Sequence, residues 1–236
     1  MSLSVANLAV EHGRVRAVWD VSFDMAAGEK VGLLGANGAG KSTVMGAIIG
    51  IYPAVEGTIS WEGKTLNSLP VRDRVSQGVA LVPEGRWLFP AMTVQENIEM
   101  GCYPKSTRAK INQGLEHVFF LFPILKEKAN QPAGQLSGGQ QQMVAIGRAL
   151  ISWPRMLLLD EPFSGVAPLI ANEIIQTLET ISREGVSILM VEQNIYRAFS
   201  FVNRAYVVEN GRVAAAGTKD ELLNDPDFSR KFLGLS

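Results

Sequence analysis

The residues whose types and spacing point to chemistry begin at Gly35-Ala36-Asn37-Gly38-Ala39-Gly40-Lys41-Ser42-Thr43. The run fits G-x-x-x-x-G-K-[ST], a loop that wraps a phosphate chain. Its glycines let backbone N–H groups turn inward with no Cβ in the way. A helix opening on the same residues adds the partial positive charge of its N-terminus. In this reading Lys41 reaches the β- and γ-phosphates, and the Ser42 hydroxyl ligates Mg²⁺. Two carboxylates, Asp160 and Glu161, close the apolar run Met156-Leu157-Leu158-Leu159. An Asp at the end of a buried strand can hold Mg²⁺. The carboxylate one residue further is placed to polarise an attacking water, a contribution on the order of 10²–10⁴ in rate. A second glycine turn, Leu136-Ser137-Gly138-Gly139-Gln140, opens another helical stretch with Ser137 as its cap, and so forms a second anion site at a helix N-terminus.

The elements that must position these residues can be read from periodicity. Residues 3–10 and 20–25 alternate as strands, Lys30-Val31-Gly32-Leu33-Leu34 leads into the phosphate loop, and residues 57–63 form a further β segment. Together they predict a small antiparallel β layer. Residues 78–83 read as a buried strand closed by Pro83. From about residue 93 the pattern turns helical, with Thr93 and Glu96 at capping-box spacing. Helical patterns follow over 106–121 and 138–151, joined by an irregular connector over 123–135. The strand ending at Asp160 lies much further from the phosphate loop than one βαβ crossover of roughly 30 residues. A mostly helical subdomain is therefore expected as an insertion. A helix (169–183), a strand (187–191), a short helix (195–202), a hairpin around Asn210-Gly211 and a helical tail (218–233) complete the chain.

The 236 residues, 47% hydrophobic, suffice for one large α/β domain. A net charge of −1 offers no basic face for nucleic acid. The single Cys102 excludes an internal disulfide and fits a reducing compartment. No stretch approaches the ~20 apolar residues of a membrane span, and the start of the chain lacks a signal-peptide layout. A soluble chain, or one held at a membrane only through a partner, is the expectation.

L-S-G-G-Q, in its order and spacing relative to the phosphate loop and Asp160-Glu161, resembles the signature of ATP-binding cassette (ABC) transporter nucleotide-binding subunits. The resemblance covers essentially the whole chain. It implies an α/β fold: a P-loop NTPase (RecA-like) core over 1–87 and 151–236, an N-terminal antiparallel β layer, and an inserted α-helical subdomain over 88–150, all within a single ABC ATPase domain. It also implies ATP and Mg²⁺ as cofactors and a head-to-tail pair of cassettes, homo- or heterotypic. ATP is then clamped between one phosphate loop (Gly35 to Thr43) and the partner's Leu136, Ser137, Gly138, Gly139 and Gln140. Membrane permease subunits, an external solute-binding protein and a cytoplasmic position at the inner face of the membrane follow from the same resemblance.

Variant positions narrow it. Val82-Pro83-Glu84-Gly85-Arg86, Val191-Glu192-Gln193-Asn194 and Ala167-Pro168 are similar to the second ATPase subunit of branched-chain (hydrophobic) amino-acid importers. Closely similar subunits serve urea or short amides. Glu84 stands where the family has Gln and can still ligate Mg²⁺. Gln193 stands where the family has His. It can donate a hydrogen bond to the γ-phosphate but cannot become a cation. Ala167 replaces an Asp. A low-turnover ATP clamp that depends on a second ATPase is the alternative these departures suggest. His12 is a candidate adenine platform or an ordinary surface histidine, and Trp87 an interface anchor or an internally packed ring. Trp19 is expected in the core and His117 in solvent.

Overall fold

The computed structural model describes residues 2–103 and 108–233. β1 (Leu3–His12) and β2 (Val15–Met25) form an antiparallel hairpin in which His12 faces Val15. Gly13 takes φ 64° at its turn, the left-handed geometry that a two-residue hairpin demands. β3 (Lys30–Leu34) feeds the phosphate loop and α1 (Lys41–Ile49). β4 (Ala54–Trp61), β5 (Lys64–Thr65), α2 (Val71–Ser76) and β6 (Val79–Val82) follow. The helical stretch holds α3 (Val94–Glu99), α4 (Ile111–Leu121), α5 (Pro123–Glu127) and α6 (Gly138–Leu150). β7 (Met156–Asp160), α7 (Pro168–Arg183), β8 (Ser187–Glu192), α8 (Ile195–Ala198), β9 (Arg204–Glu209), β10 (Arg212–Thr218) and α9 (Lys219–Asn224) complete the order. Among the described residues no helix is long and apolar enough to cross a membrane.

The chain divides into two compact units, residues 1–74 with 187–236, and residues 75–186. In the first, the strands run in the order β5-β4-β1-β2-β10-β9-β3-β8. The pairings β4–β1–β2 are antiparallel, and β9–β3–β8 are parallel. β8 is buried along its whole length and β3 over four of its five residues, as parallel strands covered on both faces must be. α1 is buried almost all round. Its last turn is closed by Arg74, whose guanidinium donates to the carbonyls of Ala47 (2.6 Å) and Ile48 (2.9 Å). Those oxygens have no partner within the helix.

In the second unit β6 and β7 pair in parallel, Val82 opposite Leu159. α3, α4, α5 and α7 pack on α6, which buries Met143, Val144, Ile146 and Leu150. Thr93 and Glu96 make the expected reciprocal capping box. Cys102 is a buried free thiol.

Three expectations are corrected. Residues 123–135 are not irregular throughout: Pro123 opens α5, because proline at a first helical position loses no bond, and 133–135 make a 3₁₀ turn. Trp19 is 47% exposed. The inward alternation of Val21, Phe23 and Met25 would take Trp19 inside, but it breaks at Trp19-Asp20 so that Val18 is buried instead. The freed indole lies beside the guanidinium groups of Arg16 and Arg212, 5.4 and 5.9 Å from its centroid. His117 is not in open solvent. Its ring stacks on Trp153 at 5.0 Å and its Nε2 lies 3.5 Å from Glu184. The helical pattern from 106 is observed as α4, and residues 106 and 107 lie outside the described residues.

A bidentate pair ties the entries of β3 and β9: Arg204 donates to both oxygens of Glu29, at 2.7 and 2.9 Å. Partial burial pushes the Glu29 carboxyl up, but the Arg204 hydrogen bonds, the Ala26 amide and the Arg204 charge outweigh it and hold it below the ordinary value. A depressed carboxyl stabilises the fold above its unfolded pKa of about 4.3 and loses that contribution as pH falls through the folded value. Denaturant unfolding from about pH 6 to pH 3 should therefore show Glu29→Gln costing stability at the upper end and progressively less at the lower.

Candidate functional site

The phosphate loop takes its shape from its glycines. Gly35 sits at φ 149° with its α-carbon against the Val208 carbonyl, where a Cβ would approach the oxygen to 2.2 Å. Gly40, at φ 106°, caps α1, and a Cβ there would meet the Ala17 carbonyl at 2.9 Å. The Gly211 amide donates to the Ala39 carbonyl at 3.0 Å. The loop therefore rests on the backbones of β2 and of the β9–β10 turn. Asn210 and Gly211 in that turn both take positive φ, 50° and 72°, as the Asn-Gly pair predicts. No side chain caps the start of α1, so its first N–H groups suit an anion. Lys41 is 4% exposed, and its Nζ donates across the loop to the Ala36 carbonyl at 3.0 Å. Ser42 stands exposed at the helix start, while Thr43 is half-buried.

Gln193 belongs to the same unit. Leu34 pairs with Glu192 in the β3–β8 register, so the loop and Gln193 leave the same end of two adjacent parallel strands, where α/β sheets place ligands. A cavity of about 450 Å³ is lined by Gly35 to Ala39, Gln193, Asn210 and Lys231. Lys231 pairs with Glu209 at 2.6 Å. His12 is exposed, its Nε2 3.0 Å from the Thr43 hydroxyl and its ring edge-on to Tyr52 at 4.4 Å. That places it beside the loop.

The second unit holds the carboxylates and the signature turn. Asp160 ends β7 at 8% exposure. Glu84 is exposed two residues beyond β6, at the same end of the β6–β7 pair. Glu161 takes φ 45°, a left-handed backbone that an L-residue adopts at a cost and that concentrates at functional turns. Glu84 and Asp160 of this unit offer only oxygen donors, the chemistry a hard cation such as Mg²⁺ prefers, and so does Ser42 of the first unit. Ser137 caps α6 by accepting from the Gln140 amide, and the Gln140 side chain accepts from the Ser137 amide. Gly139 lets α6 approach α7, since a Cβ there would come within 2.5 Å of the Ile170 side chain. Leu136 and Gly139 are buried, and Ser137 is exposed.

Residues 18–164 match the family model described as ABC transporter. The chain belongs to that family. It is 44% identical to the high-affinity branched-chain amino acid transport ATP-binding protein BraG of Pseudomonas aeruginosa, over 98% of this chain and 99% of that protein. It is 33% identical to the lipopolysaccharide export ATP-binding protein LptB of Escherichia coli K12, over 99% and 97%. An ABC cassette crystallised in its ADP conformation superposes with TM-score 0.85 at 29% identity, covering 99% of both chains. The fold is that of an ABC ATPase.

Gln140 is expected from the sequence only as part of the signature turn, and its side chain also completes a capping box with Ser137, legible in the S-x-x-Q spacing as T-x-x-E is at Thr93. Tyr52 carried no signal: it reaches His12 only because Gly46, where a Cβ would lie 2.4 Å from the Tyr52 ring, opens a slot in α1.

Two alanine substitutions separate backbone contact from backbone strain. Gly38, at φ 79°, has nothing within 4 Å of the point where a Cβ would stand, so Gly38→Ala should stay folded and lose about 1 kcal/mol from its left-handed backbone alone. Gly35→Ala must displace the Val208 carbonyl. Calorimetric ATP titration should find binding lost in Gly35→Ala and retained, weakened, in Gly38→Ala.

Proposed function

We propose that this chain is the ATP-hydrolysing subunit of an importer for branched-chain or other hydrophobic amino acids. The observation that carries the catalytic part is the pairing, in one chain, of two anion cradles at helix N-termini, α1 and α6, with a carboxylate held on a left-handed turn beyond Asp160. The solute class rests on the likeness to BraG and to the probable branched-chain transport protein LivF of Archaeoglobus fulgidus, 31% identical over 99% of both chains.

In this reading Lys41 and the loop amides hold the phosphates. Ser42 and Asp160, with Glu84 at the end of β6, hold Mg²⁺, which neutralises phosphate charge when bound. Glu161 takes the proton of the attacking water. Gln193 orients the γ-phosphate by a hydrogen bond, and His12 stacks on adenine. Ser137 and Gly139 of one copy face the nucleotide of a second, homo- or heterotypic, cassette. A neighbouring fold, 26% identical with TM-score 0.79, was solved as a dimer with ADP and phosphate. Trp87, 70% exposed, with Phe89 beside it at 46%, receives an apolar segment of a membrane subunit, since large aromatics anchor interfaces. The chain then works at the inner face of the membrane.

Steady-state ATPase of the purified chain with Mg²⁺ tests the catalytic part. Glu161→Gln should lower kcat by about 10²–10⁴ while keeping ATP binding and forming an ATP-dependent dimer. Retained turnover in the variant would remove Glu161 as the base. Gln193→His should raise the turnover of the assembled transporter, and unchanged turnover would show that Gln193 limits nothing.

A further inference from the structure

Arg86 sits at a junction within the second unit. Its backbone and that of Trp87 take φ 67° and 46°, two consecutive left-handed residues without glycine, a strained arrangement that must be held by its surroundings. Arg148, near the end of α6, supplies the hold: its guanidinium donates to the Arg86 carbonyl at 2.6 Å and the Trp87 carbonyl at 2.7 Å. The Arg86 side chain runs the other way. It donates to Gln141 Oε1 at 3.2 Å, one residue beyond the signature, and to the Ser164 carbonyl at 3.3 Å, three residues beyond Glu161. Its guanidinium lies over two glycines. A Cβ at Gly138 would be 3.3 Å from both terminal nitrogens, and one at Gly165 3.6 Å from one of them. One residue thus joins the loop that exposes Trp87, the turn that starts α6, and the exposed segment Ser164-Gly165.

We propose that Arg86 is a positioning residue that couples the Trp87 loop to the signature turn and to Ser164-Gly165, setting how well this chain grips a second cassette. The inference rests on the ABC ATPase reading above. A push on the exposed indole moves the Arg86 backbone, which Arg148 fixes to the end of α6. The planar fork of the guanidinium then carries that displacement to two acceptors at once, which a lysine ammonium cannot match. Neither acceptor belongs to the phosphate loop, so nucleotide capture by the single chain is independent of Arg86, and dimerisation is not.

The test uses Arg86→Ala and Arg86→Lys in the full chain, each alone and with Glu161→Gln. With Glu161→Gln, the ATP-dependent dimer constant is read by sedimentation. ATP affinity of the monomer and melting temperature are read in parallel, and kcat is read without Glu161→Gln. Arg86→Ala should weaken the dimer about tenfold or more, the loss expected from one charge-assisted bond. It should lower kcat in proportion and leave monomer ATP affinity within about twofold. Arg86→Lys should recover only part. Unchanged dimerisation and kcat in Arg86→Ala overturn the proposal. So does a fall in melting temperature and ATP affinity together, which marks a merely structural residue. If Glu161→Gln with Arg86 intact binds ATP but dimerises neither with itself nor with a heterotypic ATPase partner, the cassette-pairing part of the reading above fails and this inference falls with it.

Discussion

The phosphate loop is seated on the backbone of neighbouring strands. Gly35 meets the Val208 carbonyl, Gly40 the Ala17 carbonyl, and Ala39 accepts from Gly211. Two chain segments, β2 and the β9–β10 hairpin, thus converge on one short loop through backbone contacts. At Gly35 and Gly40 such a seat leaves no room for a Cβ. It explains why β9 and β10, far along the chain from the loop, are tied back to β3 by the Glu29–Arg204 pair, and why the β9–β10 turn is a tight Asn-Gly. α1 must then run through the interior, and its buried carbonyls need a donor, which Arg74 provides.

The second unit solves a similar problem by different means. Its signature turn is capped by its own Ser137 and Gln140 rather than seated on another strand. Gly139 is needed there for helix packing against Ile170, while Gly138 makes room for a guanidinium. The two glycines of the turn thus have distinct neighbours, and only one of them faces a charged group. Glu161 and the Arg86-Trp87 pair carry the left-handed, non-glycine backbone of this unit's loops, together with Trp153. Strain therefore gathers at the turn after Asp160 and around the exposed indole, where side chains must be aimed in directions that relaxed turns would not give.

Much of this was legible in the residues. The phosphate loop, the apolar strand ending at Asp160, the Thr93 cap and the Asn-Gly hairpin each carry a local signal, because each is set by a few neighbouring residues. The failures share a different origin. Trp19 faces outward because a phase break in β2, invisible in residues 20–25, resets the alternation. His117 is sheltered because Trp153 and Glu184, distant in sequence, come to it. The roles of Arg86 and Arg148 depend on carbonyls of a loop, and a carbonyl has no letter in a sequence. Pattern reading sees periodicity and caps. It does not see which backbone oxygen a long cationic side chain will find.

Cys102 has a practical meaning. It is the chain's single cysteine, buried and without a disulfide partner, and a thiol without solvent access reacts slowly. The protein is thus a nearly blank background for thiol chemistry. A cysteine introduced at an exposed position becomes the one fast-labelling sulfur, so probes or cross-linkers can be placed singly on either unit without first stripping native thiols from the fold.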